Sequence, residues 1–184
     1  VTGLDVHVKL EYLQPTGSYK DRGAAVLVAA LVAAGARSAV EDSSGNAGAA
    51  LAAYCAPAGI PVQLFLPAWA ADGMKVRQAR AYGAEIDAEA ATRAEATARA
   101  QDGLASGAVY ASHIHSPYFL AGQMTMAWEI WEDLGRAPDS IVAPVGHGLL
   151  LLGLDLGFRA LLDAGHIERC PRLFGIQARA CAPI

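Results

Sequence analysis

Cysteine is scarce in this chain: Cys55, Cys170 and Cys181 are the only three among 184 residues, far apart and without a C-x-x-C pair. Such spacing proposes neither a disulfide framework nor a zinc site, and it reads as reduced, mostly packed thiols. No apolar run reaches the length of a membrane span, and the leucines of 149–152 belong to a helix interrupted by Gly153 and Asp155. Charge is thin as well, with fourteen Lys and Arg spread among eighteen Asp and Glu for a net charge of -4. Without a dense basic cluster, nucleic acid and acidic membrane surfaces are excluded as expected partners. Repeats, low-complexity tracts and a signal-peptide pattern are also missing, which makes a cytoplasmic enzyme the expectation.

What the chain does have is 54% hydrophobic residues, enough to bury a core in one or two compact units. Strand-like segments at 6–11, 38–41, 61–66, 84–87, 108–111, 140–145 and 172–177 alternate with helical ones near 19–34, 46–58, 72–82, 89–105, 117–134 and 149–164. The alternation predicts mostly parallel sheets covered by helices. Within it, the alanine-rich stretch 88–100 reads as helix, with Arg93, Glu95 and Arg99 on its solvated side.

Two segments carry chemistry. In Pro15-Thr16-Gly17-Ser18-Tyr19-Lys20-Asp21-Arg22-Gly23, a lysine stands where punctuation by proline and glycine gives way to the aliphatic run 24–34. On the first turn of a buried helix, the positive end of the dipole and partial desolvation both disfavour an ammonium, so Lys20 suits nucleophilic amine chemistry. The plainer alternative is a surface lysine at a helix start. In Ser43-Ser44-Gly45-Asn46-Ala47-Gly48, hydroxyls and an amide open another helix. Unpaired backbone N–H groups there, with Ser43 and Ser44, suit a carboxylate or phosphate, and the Asn46 amide suits a phenolic or carbonyl oxygen. The alternative is an ordinary N-cap by one of the serines.

Together and in this order, the segments resemble the threonine synthase branch of the fold-type II pyridoxal-phosphate enzymes of the tryptophan synthase beta superfamily. That branch reads approximately P-T-G-S-F-K-D-R-G and S-S-G-N-A-G. The resemblance extends over nearly the whole chain and implies an α/β fold of two three-layer α/β/α domains with mostly parallel sheets. Residues 1–35 and 136–184 would belong to a large cofactor domain, and residues 36–135 to a small mobile one. Relatives continue for another large stretch, so the C-terminal part of the large domain, with the hydroxyl facing the pyridine nitrogen, would lie outside this sequence.

The resemblance implies pyridoxal 5'-phosphate as cofactor, an amino acid as small-molecule substrate and a homodimer as the assembly. Lys20 would be the catalytic residue and covalent anchor. Thr16, Ser43, Ser44, Gly45, Asn46 and Ala47 would bind the substrate, with Asn46 also on the cofactor's 3'-oxygen. A third element, the turn Gly146-His147-Gly148 with Leu149 and Leu150 behind a short buried strand, would cradle the phosphate through backbone N–H groups. His147 departs from the family pattern, and either adds a hydrogen bond to the phosphate or narrows the cradle. Tyr19 either packs on the cofactor ring or fills the domain boundary, while Asp21 and Arg22 read as supports of the helix start.

Substrate choice turns on Ser116-Pro117-Tyr118-Phe119-Leu120-Ala121-Gly122-Gln123-Met124-Thr125. Threonine synthases resemble N-P-x-R-x-E-G-Q-K-T here, and their arginine suits a bidentate phosphate grip. This chain has Phe119, Ala121 and Met124 at the arginine, acid and lysine, leaving Lys75 or Arg77 as substitutes for the grip. Three functions follow: a threonine synthase-like lyase acting on O-phosphohomoserine, a threonine or serine ammonia-lyase, and a non-catalytic ligand- or partner-binding fragment. His113 and His115, at H-x-H spacing, would present both rings on one side of an extended segment, but no third ligand is placed near them and no metal is expected.

Overall fold

The computed structural model describes residues 3, 5–182 and 184. Six helices alternate with six strands: α1 Lys20–Ala33, β1 Ala39–Glu41, α2 Asn46–Cys55, β2 Val62–Pro67, α3 Met74–Ala81, β3 Glu85–Ala90, α4 Arg93–Asp102, β4 Val109–Tyr110, α5 Pro117–Leu134, β5 Ser140–Pro144, α6 Leu149–Asp163 and β6 Arg172–Ile176. Four strands form one sheet in the order β3-β2-β1-β4, and β5 pairs with β6 in a second. Every pairing between these strands is parallel, as the alternation predicts.

Side-chain alternation along β2 divides the core. Leu64 and Leu66 join Leu27, Leu31, Leu51, Val76 and Phe119 on the face covered by α1, α2 and α3. Phe65 turns to the other face and meets Val40, Ala100 and Ala108 under α4. A separate cluster of Met126, Ala143, Leu150, Leu154, Phe158 and Leu161 ties α5 and α6 to β5. The opposite face of the β5–β6 sheet is bare, with Val142 66% exposed.

Two expectations are revised. The segment 6–11 forms no strand: Val6 and Val8 are exposed, no described strand pairs with it, and it is followed by a short 3₁₀ turn, Glu11–Leu13. Ion pairs of Lys9 with Glu129 and Asp133 hold it along α5 instead. The helix expected from 89 begins only at Arg93, because β3 runs on to Ala90. Its N-cap is Thr92, whose hydroxyl oxygen accepts from Glu95 N, while the Glu95 carboxylate accepts from Ala91 N. Thr92-x-x-Glu95 is thus a capping pair that marks the boundary. Of the cysteines, Cys55 is a core thiol whose pKa is pushed up to about 12 by burial, whereas Cys181 is exposed.

The head of α1 is pressed against α5. At Gly122 an added Cβ would stand 2.2 Å from the Arg22 carbonyl oxygen, so only glycine permits the approach. All five N–H groups of the Arg22 guanidinium are then used, on Glu11, Glu129 and Thr125, at 2.6–3.1 Å. Gly122→Ala should therefore destabilise the fold by about 1–3 kcal/mol through overpacking, read as a lower denaturation midpoint. Arg22, helped by Lys9 and against some desolvation, holds the pKa of the Glu129 carboxyl down to about 2. A depressed carboxylate contributes stability above its unfolded pKa near 4.5 and loses it as pH falls toward 2. The difference in melting temperature between parent and Glu129→Gln should accordingly shrink over that window; a constant difference would contradict the assignment.

Candidate active site

Lys20 opens α1 and is 7% exposed. The residues around it explain how a lysine is kept there. Thr16 donates to Asp21 from both its backbone N–H (2.9 Å) and its hydroxyl (2.7 Å), folding the loop back on the helix start. The Thr16 carbonyl accepts from Lys75 at 2.8 Å and from Gln78 at 3.3 Å. Thr16 is therefore buried and fully engaged, and the Lys75 ammonium is committed to the loop. The Lys20 amine lies 4.9 Å from the ring centre of Tyr19 and 5.6 Å from that of Phe119. Burial lowers its pKa to about 8, against an upward pull from Glu41.

The strand β1 ends at Glu41 and delivers the second motif. Gly45, not a serine, is the N-cap of α2, and no side chain caps the helix. Ser43 is buried with its hydroxyl oxygen accepting from Gly45 N at 3.3 Å, whereas Ser44 is only half-buried. The turn is tight because an added Cβ at Gly48 would meet the Ser43 carbonyl oxygen at 2.2 Å. Asn46 heads α2, followed by the buried Ala47, and its Oδ1 is buried with no hydrogen-bond partner among the described residues.

The third element follows β5. Gly146 and His147 lie exposed at the turn, and Gly148 is the N-cap of α6 with φ of +87°, a left-handed conformation that glycine adopts without strain. Leu149 and Leu150 start the helix, with Leu150 in the core. The His147 ring reaches across to the lysine, its Nε2 at 2.9 Å from Lys20 Nζ. Burial, then Lys20, then His113, lower the His147 pKa.

The structure thus brings Lys20 and the Gly146–His147–Gly148 turn into direct contact, while the Asn46 segment follows β1, whose last residue, Glu41, acts electrostatically on Lys20. It also adds residues that the motifs alone miss. Glu41 is fully buried, and its Oε1 is 2.5 Å from His113 Nδ1. His113 in turn lies 5.4 Å from the His147 ring and 5.9 Å from the Phe119 ring, centre to centre. The expected same-side pair of His113 and His115 is not formed, since residues 113–115 make a turn and His115 faces Tyr110 instead. No cluster of three or more His, Cys, Asp or Glu among the described residues is placed to hold a metal. Phe119 is 1% exposed, so a cation at that position would be buried beside Lys20.

A buried amine of lowered pKa, an amide oxygen lacking a partner and a helix-opening glycine turn fit an aldehyde cofactor that carries a phenolic and a phosphate group. Comparison with known proteins agrees. The model of the family "Pyridoxal-phosphate dependent enzyme" matches residues 1–184. The threonine synthase of Methanosarcina acetivorans is 37% identical over 180 residues, covering 97% of this chain and 44% of that protein. That of Synechocystis sp. is 36% identical over 183 residues, covering 98% and 48%. The chain spans about half the length of the curated relatives it matches. Among solved structures, maize serine racemase superposes with a TM-score of 0.82 at 28% identity, covering 93% of this chain and 50% of that one. A threonine deaminase from T.th. gives a TM-score of 0.73 at 32% identity, covering 85% and 51%. No described helix is long and apolar enough to cross a membrane. The buried lysine, the two helix-opening turns and the match along the full chain have one explanation: this chain belongs to the pyridoxal-phosphate dependent enzyme family, with its fold-type II architecture.

Proposed function

We propose that the chain carries the cofactor-holding part of a threonine synthase-like enzyme acting on a hydroxy or phosphorylated amino acid. The observation that carries this reading is the buried Lys20 amine in contact with the glycine turn of residues 146–148, in a chain whose Asn46 turn holds a buried amide oxygen without a partner among the described residues. Lys20 would anchor the cofactor covalently, and its amine would move protons at the substrate's α- and neighbouring carbons. Pyridoxal phosphate, when bound, supplies the electron sink that makes those protons removable. Asn46 holds the 3'-oxygen, Ser43, Ser44, Gly45 and Ala47 face the substrate carboxylate, and the backbone of Gly146, His147, Gly148, Leu149 and Leu150 holds the phosphate. Thr16 orders the lysine loop. Residues 36–135, which contain the four-stranded sheet, would move as a small domain against the remainder, in a homodimer; these two points rest on the family resemblance.

For the reaction, two readings stand. Likeness to threonine synthases favours β,γ-elimination and replacement on O-phosphohomoserine, giving threonine and phosphate. The buried Phe119, where an arginine would grip the substrate phosphate, favours a threonine or serine ammonia-lyase. Engagement of Lys75 on the Thr16 carbonyl points the same way, since it removes one substitute for that arginine. Incubating the protein with O-phosphohomoserine, threonine and serine in turn, with assays for phosphate and keto acid, separates the readings.

Borohydride reduction in the presence of pyridoxal phosphate, followed by peptide mapping, should place the label on Lys20; a label on Lys9 or Lys75, or none, refutes the anchor. Gly148→Val should weaken cofactor binding about tenfold or more, because a branched side chain resists the left-handed backbone and its Cβ would crowd the Ile184 side chain, 3.1 Å away. Unchanged affinity in a folded variant would show that the turn does not hold the phosphate.

A further inference from the structure

A lysine amine and an imidazole 2.9 Å apart share one hydrogen, and the other imidazole nitrogen decides which of them carries it. The Nδ1 of His147 faces the backbone N–H of Leu149 at 3.4 Å. A nitrogen that accepts from an N–H bears no hydrogen of its own, so neutral His147 carries its hydrogen on Nε2. Nε2 then donates to Lys20, and only a lysine without its third proton has a lone pair to receive it. An ammonium at Lys20 would instead donate to Nε2, move the ring hydrogen to Nδ1 and set it against the Leu149 N–H.

Every charged or titratable group near this pair bears on the balance. From α1, Tyr19 faces Lys20 as a neutral phenol raised by burial, Asp21 is bound to Thr16, and Arg22 is bound to Glu11 and Glu129. From α3, Lys75 is held on the Thr16 carbonyl. From β1, Glu41 is the carboxylate that favours an ammonium at Lys20. Its Oε1 accepts from His113, through Nδ1 at 2.5 Å and through the backbone N–H at 3.4 Å. His113 also touches the His147 ring.

We propose that His147 is a positioning residue that keeps Lys20 as a free amine in the cofactor-free chain, and that His113 assists by occupying Glu41. The inference rests on the functional reading above only for its purpose: a free amine is the form of lysine that attacks an aldehyde. It belongs to the state before the phosphate arrives, since the Leu149 N–H is among the groups assigned to that phosphate. Burial of the amine, which by itself lowers the pKa, acts in the same direction.

The test needs no cofactor. The full chain, freed of pyridoxal phosphate, is labelled briefly with acetic anhydride at a series of pH values, and acetylation of Lys20 is read by peptide mass spectrometry. In the parent, labelling should reach half its plateau below pH 8, the midpoint that burial and Glu41 set without His147. His147→Phe, which keeps a ring but no N–H, should move that midpoint up by about one unit, toward 8, and slow labelling at a pH of about 6.5 roughly tenfold. His147→Gln, with an amide N–H near the place of Nε2, should stay within about threefold of the parent. His113→Phe should shift the midpoint upward by a smaller step. A Phe variant that labels like the parent, or a Gln variant as slow as the Phe variant, overturns the proposal. Long-range ¹H–¹⁵N spectra of the parent give a measurement free of mutation: neutral His147 should carry its hydrogen on Nε2, and a hydrogen on Nδ1 overturns the proposal. Failure of borohydride to trap pyridoxal phosphate at Lys20, with the His147-dependent shift intact, would remove the functional reading and leave this inference standing.

Discussion

Burying a lysine amine is unfavourable unless the surrounding backbone cannot relax to release it, and the clamp between α1 and α5 supplies that rigidity. Arg22 spends its whole guanidinium on Glu11, Glu129 and Thr125, and the Gly122 backbone lies against the Arg22 carbonyl. Lys20 sits two residues away on the same turn. Asp21, between them, bonds Thr16 and closes the loop from the other side. The three consecutive residues Lys20, Asp21 and Arg22 thus divide the work: one faces the site, and two hold it there.

The site elements legible in the sequence are those whose residue types have few other uses. A lysine followed by Asp-Arg-Gly at a helix start, and an amide next to glycine at another, point to anion and carbonyl chemistry wherever they fold, and the structure seats both at helix starts. Parallel pairing was legible for a similar reason, since alternating strands and helices leave few other arrangements. Less visible were features set by long-range contact. Nothing local in the segment 6–11 shows that it lies along α5 by ion pairs rather than in a sheet. Glu41 and His113 are 72 residues apart, and the H-x-H spacing of His113 points to a metal pair rather than to Glu41, so their pairing emerges only from the packing of β1 against the turn before α5. The start of α4 is a different case, because Thr92 and Glu95 carried a boundary signal that the surrounding alanines obscured.

The left-handed Gly148 and the extended Gly45 both stand just beyond the carboxyl end of a parallel strand. In parallel sheets these ends lie on one edge, where strand carbonyls stop and helix N–H groups begin, and ligands bind there at the point where neighbouring connections diverge. Glu41 and His147 occupy such ends in two different sheets, one at the end of β1 and the other three residues past β5. Neither side chain contributes to the registers that hold the sheets together. The chain therefore separates two inheritances: its hydrophobic layers can be preserved while residues just beyond the strand ends are exchanged, so that new reactivity arises by substitution at strand tips on a scaffold that keeps its layers.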